Sequence, residues 1–105
     1  MINIMEEIGE PAVLEQLAEE CSELAKAALK LARILREENP TPVTRADARA
    51  ALTEEKQDVM NCLYVHGNVG LNYEKLRRWE DRITGEDNHP DAVYGREYME
   101  TRTDE

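Results

Sequence analysis

The sequence predicts an all-α fold, an antiparallel helical bundle completed by oligomerisation. A long run with apolar residues at alternating spacings of three and four carries the helical reading. Gly and Pro punctuation cuts the rest into further helix-sized segments, and no alternating pattern is long enough for a strand. The oligomer follows from composition: one Trp, four Tyr and no Phe leave a chain of 105 residues with a thin core of its own.

In chain order, Asn3 caps a short helix through Ile8 that Gly9 ends. Pro11 suits the first turn of a long helix to about Glu38, which Asn39-Pro40-Thr41-Pro42 stops. Within it Leu14, Leu17, Cys21, Leu24, Ala28, Leu31 and Leu35 form a heptad stripe, typical of a helix lying nearly parallel to its partners. Thr44 followed by Asp47 resembles a capping box for a short helix, Arg45 to Leu52. Thr53 either caps the next helix or lies within a continuous one, which extends to His66 or Val69 before Gly67 and Gly70 break the chain. Asn72 caps a last helix, Tyr73 to Thr84, with Leu76, Trp79 and Ile83 as its buried stripe and Gly85 as its C-terminal cap. Residues 1–85 thus read as the helical domain, and 86–105 as a polar tail, mobile or packed on a partner subunit.

Two acidic pairs stand out, Glu20-Cys-Ser-Glu23 and Glu55-Lys-Gln-Asp58. Residues three apart on a helix project from one face. Two carboxylates about 4 Å apart repel by roughly 4 kcal/mol at an effective dielectric near 20. If the pairs meet, the remedy is a hard divalent cation on oxygen ligands, Mg²⁺ or Mn²⁺. Such pairs also arise by chance in a chain with 23 Asp and Glu. Glu55 is the more telling, because it falls within the apolar face of Leu52, Val59, Cys62, Leu63 and His66, where an uncompensated charge is costly. His66 on that face reads as a satisfied core residue rather than a ligand.

Charge and hydropathy exclude other classes. A formal charge of -10 repels nucleic-acid backbones, so polymer binding is not expected. Mean hydropathy is -0.69, and no apolar run approaches a membrane span. The N-terminus lacks the basic region of a signal peptide, so the expected location is cytoplasmic, with Cys21 and Cys62 as reduced, buried thiols.

The joint pattern Glu19-Glu20-Cys-Ser-Glu23-Leu24 and Glu54-Glu55-Lys-Gln-Asp58-Val59-Met60 resembles the MazG-like all-α nucleoside triphosphate pyrophosphohydrolases, whose signature is E-x-x-E on one helix and E-x-x-D on the next. The resemblance covers about Leu14 to Arg82, with Gln16-Leu17 and the basic helix Lys75-Leu-Arg-Arg-Trp-Glu-Asp-Arg82 also familial in aspect. The stretch between Glu23 and Glu55 is longer than usual for that family.

The resemblance implies Mg²⁺-dependent hydrolysis of NTP or dNTP to nucleoside monophosphate and pyrophosphate, of the nucleotide-pool house-cleaning kind. It implies Glu20, Glu23, Glu55 and Asp58 as metal ligands, with Mn²⁺ a substitute, and Glu19 as the residue that orients the attacking water or takes a further metal. Gln16, Lys30, Asn61, Lys75, Arg78 and Arg82 are the candidate substrate-binding residues, and a homodimer or dimer of dimers is expected. The alternatives are a non-catalytic helical interaction or regulatory module and, within the family, a phosphoribosyl-ATP pyrophosphohydrolase. A di-iron carboxylate bundle is disfavoured, because its one Glu-x-x-His spelling, Glu86 to His89, lies between Gly85 and Pro90.

Overall fold

The computed structural model describes residues 1–38 and 42–85. Residues 86–105, read above as a tail, and the Glu86 to His89 spelling lie outside them. Among the described residues the protein is all-helical, with α1 (Ile4–Ile8), α2 (Glu10–Arg36), α3 (Arg45–His66) and α4 (Tyr73–Thr84). They fall into two compact units, Met1–Val69 and the segment that starts at Gly70.

Local signals set the helix ends. Asn3 Oδ1 accepts from the Glu6 amide at 3.0 Å, Thr44 Oγ1 from the Asp47 amide at 3.1 Å, and Asn72 Oδ1 from the Lys75 amide at 3.0 Å. Each side chain thereby satisfies a first-turn donor that has no partner within its helix. The long helix stops at Arg36, short of the expected Glu38, because Glu37 turns left-handed at φ 59°. Thr53 does not cap a new helix. Its hydroxyl donates to the Arg49 carbonyl at 3.1 Å, one turn back, and α3 runs through it unbroken.

Two polar ties show that α2 and α3 are antiparallel. His66 Nε2 lies 2.8 Å from Glu10 Oε2 at one end, and Arg45 lies 3.5 Å from Glu37 Oε1 at the other. The His66 reading therefore holds as to partner, since the ring is half-buried and bonded across the helix pair. The seam between these ends uses Val13, Leu17, Leu24, Ala27 and Leu31 of α2 and Ala48, Leu52, Val59 and Cys62 of α3, all buried or half-buried. Val13, Leu31, Ala48 and Val59 are its most enclosed members.

This seam corrects the stripe expected on α2. Leu17, Leu24 and Leu31 belong to it, but Leu14, Cys21, Ala28 and Leu35 are exposed. The two heptads share three leucines, and α3 covers the one that contains Val13, Glu20 and Ala27. Cys21 is accordingly not the buried thiol expected, while Cys62 is half-buried. On α4, Leu76 is half-buried, but Trp79 and Ile83, expected in its buried stripe, are 58% and 73% exposed. Three apolar residues of α4 at helical spacing suffice for an amphipathic pattern even where two of them are exposed.

Gly9 joins α1 to α2 at φ 88°, ψ 154°, a conformation essentially confined to glycine. A Cβ there would meet only Pro11 Cδ at 3.8 Å, an ordinary contact. Gly9→Ala should therefore destabilise through backbone strain rather than collision, by about 1–3 kcal/mol, read as a lowered urea midpoint at unchanged slope.

Candidate metal centre

The register of the antiparallel pair brings the middle of α2 level with the second half of α3. Glu20 occupies a seam position of α2 and Glu55 a seam position of α3, so each is turned toward the other helix and half-buried. Asp58, one turn beyond Glu55, is exposed at the edge. One oxygen from each of Glu20, Glu55 and Asp58 lies within 4.8 Å of the others.

Among the described residues no ion pair offsets the charge of the group. Glu20 Oε1 accepts from the Gln16 side-chain amide at 2.9 Å, which fixes its orientation without neutralising it. Glu55 Oε2 is buried and has no hydrogen-bond partner among the described residues. Partial burial, then the neighbouring charges of Asp58, Glu20, Glu23 and Glu54, hold the Glu55 carboxyl above its ordinary range. Burial and the same acidic surroundings, Glu20 and then Asp58 and Cys21, push the Cys62 thiol up as well. A thiol so placed stays protonated at neutral pH and is a poor nucleophile.

These features fit a hard cation. Ligand oxygens about 2.1 Å from Mg²⁺ stand about 3 to 4.2 Å apart in an octahedron, so small side-chain adjustments would close the group around one ion. The orphaned Glu55 oxygen is the kind of acceptor such an ion satisfies.

The remaining candidates are placed differently. Glu23 is not in the three-carboxylate group; it sits round the helix from Glu20, 3.5 Å from Lys26, both side chains well exposed. Glu19 and Lys30 are exposed on α2, and Asn61 on α3. Gln16 and Asn61 meet at a pocket of about 190 Å³ with Ile4, Ile8, Val13, Cys62 and Val65. The contribution of α1 to this pocket had no sequence signal beyond the apolar Ile4 and Ile8, because it depends on the turn at Gly9. Lys75, Arg78 and Arg82 are exposed residues of α4, in the second unit.

The raised Glu55 value has a consequence for stability. Between its unfolded value near 4.5 and its higher folded value, the folded chain binds the extra proton, so stability falls as pH rises through that window. Below 4.5 the group is neutral in both states; above the folded value its penalty is complete. Without divalent ions, Glu55→Gln should thus be more stable than wild type at neutral pH, and the gap should close as pH falls toward 4.5. Urea midpoints of the two proteins across pH measure it.

Comparison of the chain with protein-family profiles, with curated proteins and with solved structures gave no match.

Proposed function

We propose that Glu20, Glu55 and Asp58 hold Mg²⁺ and that the protein hydrolyses nucleoside triphosphates to the monophosphate and pyrophosphate. The observation that carries the metal site is the convergence of three carboxylates, one with a buried oxygen that lacks a partner among the described residues. The choice of nucleoside triphosphate rests on the resemblance of the two acidic motifs to the MazG-like pyrophosphohydrolases. A divalent ion held here would supply a bound water of lowered pKa and positive charge against phosphate oxygens.

The chain's own residues take the other roles. Gln16 orients Glu20. Glu23, on the flank of the group, is the proposed ligand of a second ion once it leaves Lys26, and Glu19 is the residue proposed to position the attacking water. The 190 Å³ pocket is close in size to apolar cavities that admit a single aromatic ring. With amides at Gln16 and Asn61 and aliphatic walls, it is the proposed seat of the base. Lys30 is the proposed cationic contact to the phosphates; Lys75, Arg78 and Arg82 are proposed as substrate-binding residues on the strength of the family resemblance alone. A homodimer or dimer of dimers in the cytoplasm completes the reading.

The test is ³¹P NMR of the purified protein with Mg²⁺ and a panel of NTPs and dNTPs. Nucleoside monophosphate and pyrophosphate should appear together, Mn²⁺ should substitute for Mg²⁺, and Ca²⁺, which favours larger oxygen cages, should serve poorly. Diphosphate and orthophosphate as first products would overturn the assignment of the bond cleaved. Absence of turnover across the panel would favour the non-catalytic interaction module.

A further inference from the structure

Helix α2 is apolar over more of its circumference than α3 covers. Round from the α3 seam lies a second face built from Leu14, Ala18, Cys21, Ala25, Ala28 and Leu35, all exposed. On a wheel of about 100° per residue the middle of this face, between Leu14 and Cys21, is about 110° from Glu20, so most of the face is turned away from the carboxylate group. Small residues along its middle let another helix axis approach closely, to about 8 Å.

The charges of α2 say what fits there. From Glu10 to Glu23 the helix carries Glu10, Glu15, Glu19, Glu20 and Glu23 and no basic residue; from Leu24 to Arg36 it carries Lys26, Lys30, Arg33 and Arg36 and no acidic one. The sign changes between Leu24 and Ala25. That same point is equidistant from Leu14 and Leu35 and from Cys21 and Ala28. Glu15, Glu19, Lys26 and Arg33 form one charged flank beside the apolar face, within about 40° of one another.

We propose that a second copy of this chain packs antiparallel along this face, with a two-fold axis beside Ala25. An antiparallel two-fold sets each flank against the same flank of the other copy, so Glu15 meets the partner's Arg33. Parallel packing would set like charges together and is disfavoured. The face is self-complementary, as a two-fold contact requires. This inference does not depend on the hydrolase reading.

Sedimentation of the full chain tests it. Wild type should run at twice 12.0 kDa, or four times if dimers pair. Ala25→Arg, on a surface exposed in the single chain, should keep its far-UV helicity and halve that mass, weakening the contact about a hundredfold or more by placing like charges on the axis. Glu15→Arg alone should weaken the assembly, and Glu15→Arg with Arg33→Glu should restore it. Ala25→Cys, in a Cys21→Ser and Cys62→Ser background, should form an intermolecular disulfide on mild oxidation. A wild-type monomer at tens of micromolar would overturn the proposal. So would an oligomer whose mass Ala25→Arg leaves unchanged, or failure of the double charge reversal to restore what the single one lost.

Discussion

Glu55→Gln should abolish most Mg²⁺-dependent turnover while leaving the apo protein folded and, at neutral pH, more stable than wild type. The substitution keeps the shape of the side chain and removes its charge. Turnover should fall by at least about a hundredfold, since losing even an outer-shell partner of a metal typically costs 10–100-fold. Stability should move the other way, because the Glu55 carboxylate is half-buried, faces Asp58 and Glu20, and leaves Oε2 without a donor. Asp58→Asn and Glu20→Gln should also lose turnover, with a smaller gain in stability for the more exposed Asp58. Activity and apo thermal stability measured on the same preparations check both halves. A structural salt-bridge residue would lose stability on neutralisation, so the opposite sign separates a ligand cluster from an ordinary ion pair.

Leu31→Ala should have the largest effect on folding. Leu31 is only 6% exposed and sits in the α2–α3 seam, where few side chains are so enclosed. Truncating a buried leucine typically costs 2–5 kcal/mol in lost transfer energy and residual cavity. That is a large fraction of the roughly 5–15 kcal/mol that a domain has in total. Thermal melting should shift down by well over 8 °C, at about 4–8 °C per kcal/mol for a domain of this size. Leu29→Ala, two residues earlier at a position 59% exposed, is the control and should shift far less in the monomer.

The sequence carried the helices and their caps, because Asn3, Thr44, Asn72, Gly9, Gly67 and Gly85 act through local hydrogen bonds and backbone freedom that need no tertiary context. It did not carry the facing of α2. Two heptads run along that helix and share Leu17, Leu24 and Leu31; the one containing only apolar residues reads as core, yet the one containing Glu20 and Ala27 meets α3. A carboxylate at a seam position looks like an error in a core and sense in a metal site, so Glu20 disguised the packed face. Glu55 gave the better signal because α3 offers only one apolar face. Glu20 and Glu55 come together as the acidic motifs suggested, whereas Glu23 turns toward Lys26, a difference of one helical step that spacing alone does not resolve. The pocket beside the carboxylates was not legible, since its wall of Ile4 and Ile8 is set by the φ of a single glycine.

The central claim is that Glu20, Glu55 and Asp58 form a divalent-cation site, and Mn²⁺ binding followed by electron paramagnetic resonance tests it most directly. Titrating Mn²⁺ into metal-free protein in the absence of nucleotide should reveal a bound population that Mg²⁺ displaces. Glu55→Gln, shown by circular dichroism to retain its helices, should lose that population. Equal Mn²⁺ binding by wild type and Glu55→Gln, or none by wild type at millimolar ion, would contradict the account.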